Sequence, residues 1–459
     1  MEQKLKEKYG LPVAIAMVVG IVIGSGIFFK AGKILKETGG DQWLGVFAWI
    51  IGGAIMIVCA YTFATMATRY SFVNGLVDYA EVTIGSKYAY LLGWFMSTIY
   101  YPTLTSVLAW VSAHYACVLF DLPTLGGEEM AIAAFFLCAS YAVNALSPIL
   151  AGKFQVTTTV IKVIPLILMG IVGLIVGLSS GMTVENFTNV VTPATSTGKA
   201  LLAAVVATAF AYEGWIIATS INAELKNAKK NLPIALVIGT IAVVIIYILY
   251  YVGLAGGVAS ADMIADKQAG AKLAFETVFS KVGGTLLFVF VVISCLGTLN
   301  GLMLGCTRGM YSLAVRGEGP KPELFKQVDT VTNMPTNSSM LGLFFCGFWL
   351  LYWYGADVLM MAELPTWFGN FSFDTSELPI VTIYASYIPI FIAMMVKEKD
   401  LGAFKRIIMP ILAICGCIFM VYAAIYSHKM AVVFYLIIFA VIMIIGTLFM
   451  KKKDAPLQK

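Results

Sequence analysis

The chain has 459 residues, of which 60% are hydrophobic and only 12% are charged, and its formal net charge is +5. Soluble domains have roughly 25% charged residues, so this composition excludes a water-soluble globular protein. The basic residues lie in short clusters between apolar runs and form no single basic face, which argues against nucleic-acid binding. The apolar runs are about 20 residues long, which predicts an all-α integral membrane protein and not a β-barrel.

Hydropathy predicts about twelve spans in one transmembrane domain that covers residues 1–459. In chain order they are 11–29, 43–67, 88–119, 130–148, 154–178, 199–221, 232–258, 282–313, 338–355, 377–396, 407–427 and 431–450. The first run is expected to be retained as a span, because glycines interrupt it and no cleavage site follows it.

The distribution of Lys and Arg predicts the orientation. With the N-terminus in the cytoplasm, the cytoplasmic segments hold about 21 basic residues and the outer loops roughly eight. An even number of spans puts both termini on the same side, so both are expected in the cytoplasm. Lys162 belongs to neither set, because it lies within the fifth span.

The first span carries a break in its pattern at Gly24-Ser25-Gly26. Two glycines around a serine let the backbone open and leave free N–H groups at the start of a second half-helix, where a carboxylate is favoured. The alternative interpretation is that Gly24 and Gly26 form a close helix-packing face.

The sixth span carries a second break, at Phe210-Ala211-Tyr212-Glu213-Gly214-Trp215. An acidic residue inside a span is costly unless it faces a cavity or a partner, and the following glycine loosens the helix. Carbonyls freed at this break would accept hydrogen bonds from an ammonium, so the two breaks together predict a site for a zwitterion. The alternative is that Glu213 only reaches a helix end near water.

The residues indicate neither a disulfide framework, nor a metal site, nor an enzyme, and no cofactor is expected. His114 and His428 are far apart and have no ligand-like spacing, and no nucleophile–base pair is evident. The cysteines fall inside or at the ends of apolar runs, where they act as small hydrophobes: Cys59, Cys117, Cys138, Cys295, Cys306, Cys346, Cys415 and Cys417.

Several segments resemble a known transporter family. Residues 19–28, VGIVIGSGIF, resemble the span-one signature of amino acid–polyamine–organocation (APC) transporters. FAYEGW at 210–215, with ELKN at 224–227 and NLPIA at 231–235, resembles the span-six-to-seven signature of the L-type amino acid transporter (LAT) family, and GTLNG at 297–301 resembles its span eight. The similarity extends over nearly the whole chain and is strongest to bacterial alanine-serine-cysteine exchangers of that family.

The resemblance implies a five-plus-five inverted-repeat fold of the LeuT type, with discontinuous helices 1 and 6. The repeats would cover 11–178 and 199–396, and 407–450 would hold two appended helices. The substrate would lie between spans one and six, with its carboxylate on the N–H groups of Ser25, Gly26 and Ile27 beside Gly24. Its amine would bind carbonyls around Val22, Ile23, Phe210, Ala211 and Glu213. The Phe210 ring would act as a gate, and Glu213 replaces a glycine common in the family, which leaves side-chain selectivity open.

The resemblance also suggests how spans one, five and eight are joined. In sodium-coupled relatives of the fold a cation bridges these spans, and the Lys162 side chain would take its place and hold Gly24 against Ser294. The alternative is a lysine that snorkels to the cytoplasmic edge. Glu224 and Arg308 are candidates for an inner lock, and the alternative for them is a solvated, positively charged loop.

The loop 121–130 lacks the cysteine that bonds animal family members to a heavy subunit, so no disulfide-linked partner is expected. This absence, with the short termini, indicates a multi-pass protein of a prokaryotic plasma (inner) membrane.

These observations predict a secondary transporter that exchanges small neutral L-amino acids, such as alanine, serine and cysteine, by alternating access and without sodium. One alternative is transport of cationic amino acids or polyamines with Glu213 as the counter-charge, against which Lys162 supplies a second cation nearby. A channel or a nutrient sensor is the alternative of another class. A channel would need a polar ring or a carbonyl filter, and a sensor would carry a soluble domain.

Overall fold

The computed structural model describes residues 10–450 apart from 71–74, 147, 195, 217–224, 266, 330, 331 and 333. The regular elements of this part of the chain are helices. In chain order they are α1 (Leu11–Val22), α2 (Gly26–Glu37), α3 (Gln42–Arg69), α4 (Leu76–Thr83), α5 (Ser86–Leu119), α6 (Gly127–Leu146), α7 (Pro148–Leu168, continued through Met169–Gly173 into Leu174–Ser180), α8 (Met182–Thr188), α9 (Thr197–Ala211), α10 (Ala228–Leu254), α11 (Ser260–Ala265), α12 (Lys267–Ala314), α13 (Pro322–Phe325), α14 (Thr336–Met361), α15 (Leu378–Lys397), α16 (Phe404–His428) and α17 (Met430–Leu448).

Ten helices of the described chain are long and apolar enough to cross a membrane. The all-helical membrane fold predicted from the sequence is therefore confirmed. The first and sixth predicted spans differ from the others: α1 and α2 have 12 residues each, and α9 has 15. These are the two spans that the sequence predicts to be discontinuous, and a total of twelve spans stays a prediction.

Both helix breaks have a local cause. After α1, Ile23 adopts an extended conformation, and α2 starts at Gly26. After α9, the chain turns at Gly214, whose φ of +102° is a conformation that glycine adopts without steric cost. Helix α9 therefore ends at Ala211, within the break predicted at 210–215, and residues 217–221 of the predicted span lie outside the described residues.

We name the two ends of the molecule after the positions of α1 and α2. The end at which α1 begins is the N-terminal face, and the end at which α2 terminates is the distal face. Helix α3 runs from the distal to the N-terminal face and α15 runs parallel to it, because the residues before α15 contact α2 and those after it contact the end of α3. Charged clusters at both faces thus involve the two ends of α15.

The core forms around the broken helices. Helix α10 packs along α3 and α1, α9 packs against α2 and α3, and α12 packs against α5 and α7. Large apolar side chains such as Phe135, Phe344 and Ile444 remain exposed, as expected for a lipid-facing surface. Helices α6 and α17 are mostly exposed and lie at the periphery. The two helix breaks are therefore surrounded by protein, where irregular backbone is tolerated in a membrane.

Candidate functional site

The two helix breaks lie in direct contact. A Cβ atom on Gly26 would stand 2.5 Å from the Cα of Ala211 and 3.1 Å from the carbonyl oxygen of Phe210. Only a glycine allows the start of α2 to approach the end of α9 this closely. The junction brings together all nine residues predicted to bind substrate, and all are buried: Val22, Ile23, Gly24, Ser25, Gly26, Ile27, Phe210, Ala211 and Glu213.

The start of α2 presents hydrogen-bond donors to this junction. The first N–H groups of a helix have no partner within the helix, and the helix dipole favours an anion beside them. The hydroxyl of Ser25, at the N-cap position, is fully buried and has no hydrogen-bond partner among the described residues. A carboxylate placed here would accept hydrogen bonds that the protein itself does not supply.

Tyr247 joins the two breaks from α10. Its hydroxyl lies 3.0 Å from the carbonyl oxygens of both Val22 and Ala211, and the side chain is fully buried. The Val22 and Ala211 carbonyls therefore already have a partner in Tyr247, and Ile23, Phe210 and Glu213 remain as carbonyl candidates for an amine. The sequence did not reveal Tyr247, because it is one of several tyrosines in an apolar helix.

Glu213 is held by a tyrosine from α5. The hydroxyl of Tyr100 donates to Oε1 of Glu213, while Oε2 has no hydrogen bond among the described residues. Tyr100 closes a π-helical turn, Met96–Tyr100, and such turns often occur at functional sites. The Glu213 side chain is thus held against α5 and leaves one acceptor oxygen available.

Aromatic rings cover the junction on its distal side. The Phe210 ring packs edge-on against Phe29, with centroids 5.9 Å apart, and Phe29 packs in the same way against Trp110. The ammonium of Lys30 lies 5.3 Å from the Phe210 ring centroid, a distance suited to a cation–π contact. The Phe210 ring therefore contacts both Phe29 and Lys30 of α2.

Lys162 connects α7 with α1 and α12. Its Nζ donates to the carbonyl oxygen of Gly20 at 2.8 Å and to Oγ1 of Thr298 at 3.1 Å. These partners lie four residues along the chain from Gly24 and Ser294, the positions named from the sequence. Gly24 abuts Thr298, since its Cβ would stand 2.5 Å from Thr298 Oγ1, and the carbonyl of Ser294 accepts from the same hydroxyl at 3.2 Å.

The distal clamp, as we name it, consists of Lys30, Lys33, Asp374, Glu377 and His428. Both lysine Nζ atoms lie 2.6 Å from Oε1 of Glu377, and Lys33 also lies 3.1 Å from Asp374. His428 Nε2 is 3.0 Å from the second Glu377 oxygen. Burial alone would raise the pKa of the Asp374 carboxyl, but the Lys33 ammonium holds that pKa below its usual value. The clamp ties α2 to the segment before α15 and to the end of α16.

The N-terminal clamp, as we name it, lies at the N-terminal face and consists of Arg69, Tyr70, Glu398 and Asp400. Arg69 at the end of α3 lies 3.8 Å from Glu398 and pairs with Asp400, and Tyr70 donates to Glu398. Arg316 separately binds Glu81, at 2.8 Å, and Asp78.

The structure describes only one of the two residues predicted to form an inner lock. Arg308 is exposed, and Glu224 lies outside the described residues. Among the described residues no group of His, Cys, Asp and Glu could hold a metal ion.

Comparison with known proteins identifies the family. A family model described as "Amino acid permease" matches residues 9–448. The chain belongs to this family. The permease is 29% identical over 437 residues to the "Serine/threonine exchanger SteT" of Bacillus subtilis, a match that covers 93% of both chains.

Animal transporters and one solved structure extend the comparison. The permease is 28% identical to the human "Large neutral amino acids transporter small subunit 2" and 26% identical to the human "b(0,+)-type amino acid transporter 1", over 72% of its length and 62% and 67% of theirs. The structure titled "Crystal structure of MhsT in complex with L-phenylalanine" has a TM-score of 0.59 at 13% identity, and the match covers 95% of the permease and 99% of that chain. The predicted membership of the L-type branch of the APC superfamily and the predicted LeuT-type fold are thereby confirmed, and the protein is a transporter and not an enzyme.

Proposed function

We propose that the permease exchanges small neutral L-amino acids across a prokaryotic plasma membrane by alternating access. In this proposal both termini lie in the cytoplasm, sodium is not required and no heavy subunit is attached. The relatives support it, because one is named as a serine/threonine exchanger and another as a transporter of large neutral amino acids.

The contact between the two helix breaks carries the proposal. Helix α2 begins and α9 ends at the same buried point, so the first N–H groups of one helix lie beside the last carbonyl groups of the other, near Gly26 and Phe210. A zwitterion needs this pair of complementary groups, and backbone groups recognise it whatever its side chain. The substrate's side chain would meet Phe210, Tyr100 and Glu213, and the close packing there favours a small one.

The domain assignment extends the proposal to the whole chain. Residues 11–178 and 199–396 would form two inverted five-helix repeats, and 407–450 would add two peripheral helices. The α1–α2 break and the break after α9 would then occupy the first helix of each repeat. This is the position at which secondary transporters of this architecture build their binding sites.

Counterflow in proteoliposomes tests the proposal. Liposomes loaded with unlabelled serine should accumulate labelled serine above its external concentration, whereas a channel would only equilibrate it. Serine methyl ester and N-acetylserine should not compete, because each blocks one end of the zwitterion. Competition by either derivative at the level of serine would contradict the two-break site.

A second candidate function, transport of cationic amino acids, is favoured by one observation. Glu213 is buried and its Oε2 atom has no hydrogen bond among the described residues, so it is available to an ammonium. The Glu213→Gln variant separates the two functions when labelled serine and labelled lysine are compared. If Glu213→Gln loses lysine uptake and keeps serine uptake, the cationic function is established. If the wild-type protein takes up no lysine, the cationic function is excluded.

A further inference from the structure

A groove on the outer surface of the bundle, near the N-terminal face, is not used by the proposed transport cycle. It has a volume of about 310 Å³ and lies between α3, α10 and the start of α16. Tyr61, Thr65 and Thr68 form one wall at the end of α3. The hydroxyls of Thr65 and Thr68 donate to carbonyls of their own helix, so these two hydroxyls already have partners.

The opposite wall is apolar and belongs to the lipid-facing surface. Pro233, Ile234, Val237 and Ile238 supply it from the first turns of α10, and Ile238 is 47% exposed. Ile245 continues the exposed apolar face of the same helix. A groove that opens on such a surface is accessible to acyl chains when the protein is in a bilayer.

The rim of the groove at the N-terminal face is positively charged. Lys405, in the first turn of α16, is exposed and lines the groove itself. Lys229 and Lys230 are exposed in the first turn of α10, one turn before Pro233 and Ile234 and therefore on the same helix face. Of the acidic residues that the structure describes near this rim, Glu398 and Asp400 both contact Arg69.

We propose that this groove is a binding site for one anionic phospholipid of the leaflet at the N-terminal face, the cytoplasmic leaflet in the orientation proposed above. The phosphate would lie among Lys405, Lys229 and Lys230, whose stems follow the apolar wall, and one acyl chain would lie against Ile234 and Ile238. Basic pockets between helices at the cytoplasmic side of a membrane bind acidic head groups in this way. The lipid would join α3 and α10 to the peripheral helix α16.

Native mass spectrometry of the full-length protein, released from detergent after titration with phosphatidylglycerol, tests the proposal. Wild type should bind one phosphatidylglycerol per chain in preference to phosphatidylcholine. Each lysine near a membrane surface contributes about a fivefold gain in affinity for anionic lipid. Lys405→Gln should therefore weaken binding about fivefold, and Lys405→Arg should retain it.

Matched variants separate the groove from the general surface. Ile238→Trp should fill the groove and abolish stoichiometric binding, whereas Ile245→Trp, further along the same exposed face, should not. Lys87→Gln removes another exposed lysine, at the start of α5, and should leave binding unchanged. Equal binding of phosphatidylcholine by wild type, full binding by Lys405→Gln and Ile238→Trp, or a dimer in place of the lipid adduct would each overturn the proposal.

Discussion

Lys162 shows at the residue scale how the permease accommodates a charge within a span. An ammonium in the interior of a membrane helix costs roughly 2.5–3.5 kcal/mol on insertion scales. The Lys162 side chain is fully buried and bonds Gly20 of α1 and Thr298 of α12. A snorkelling lysine would reach the membrane edge, so these bonds favour the bridging interpretation. The proposed sodium-independent transport agrees with this position, because the Lys162 side chain occupies the junction of these three helices.

We predict that Lys162→Ala slows serine exchange at least tenfold while expression stays near wild type. Each lost hydrogen bond to the charged group contributes roughly 1.5–3 kcal/mol, so α1 and α12 lose a substantial link. Initial rates in proteoliposomes measure this, with Lys87→Ala as a control at an exposed lysine. Wild-type exchange should also survive complete replacement of sodium by choline. Strict sodium dependence, or a fully active Lys162→Ala protein, would contradict the role of this lysine.

We predict a smaller effect for Tyr247→Phe, which removes one hydroxyl and little volume. That hydroxyl bonds the Val22 and Ala211 carbonyls and so holds the two breaks together. A hydrogen bond of this kind contributes about 1 kcal/mol, so a roughly fivefold fall in transport efficiency is expected. Tyr250→Phe on the same helix is the matched control, because its hydroxyl has no partner among the described residues. Equal effects of the two substitutions would show that Tyr247 acts only by packing.

The sequence revealed those site residues that are unusual inside a membrane helix. Gly24, Gly26 and Glu213 stand out because glycines and an acid are unfavourable inside membrane helices. Tyr247 and Glu377 break no local rule, since a tyrosine in an apolar helix and an acid beside a span are ordinary. Their importance depends on partners such as Val22 and Lys30, which lie 225 and 347 positions away in the chain and which a single sequence does not specify.

At the scale of elements, hydropathy located the long helices well and the irregular ones less well. The tenth predicted span, 377–396, differs by one residue at each end from Leu378–Lys397. The eighth, 282–313, begins just after the bend of α12 at Ser280, where φ is +63°. The sixth span, 199–221, is interrupted after Ala211, within the break predicted from the sequence, and its last residues lie outside the described part of the chain. Hydropathy indicates whether a segment lies in lipid or in water. It does not show where the backbone hydrogen bonds of a helix end.

Helix α15 has a charged residue directly before its first residue and another directly after its last. Glu377 belongs to the distal clamp with Lys30 and Lys33, and Glu398 belongs to the N-terminal clamp with Arg69. The helix therefore connects α2 at one face to α3 at the other. Breaking a buried ion pair by removing one partner costs about 3–5 kcal/mol, comparable with the few kcal/mol that separate conformations of a protein.

We predict that Glu377→Gln weakens the distal clamp without unfolding α15. Loss of the carboxylate leaves Lys30 and Lys33 without their shared counter-ion, so Lys30 is freed from its position over Phe210. The rate of serine exchange should fall at least fivefold, since the distal side no longer closes stably. Lys36→Gln, also on α2 but outside the clamp, is the control. A wild-type rate for Glu377→Gln would show that the clamp has no part in the cycle.

At the scale of the whole molecule, alternating access requires that the two faces open in opposition. The described structure has ion pairs at both faces, and α15 touches both clamps. If the clamps stabilise alternative states, weakening one of them must shift the population towards opening at that face and closure at the other. Simple local loosening would raise mobility at the mutated face and leave the opposite face unchanged.

Hydrogen–deuterium exchange of the two variants in nanodiscs distinguishes these cases. Glu377→Gln should speed amide exchange in 26–37 at the distal face and slow it in 61–70 at the N-terminal face. Glu398→Gln should do the reverse, because it breaks the contact between α15 and Arg69 instead. Amide exchange reports opening free energies region by region, so opposite changes in two distant segments require a coupled equilibrium. If each variant affects only its own face, the clamps are independent structural contacts, and the gates must be sought elsewhere in the bundle.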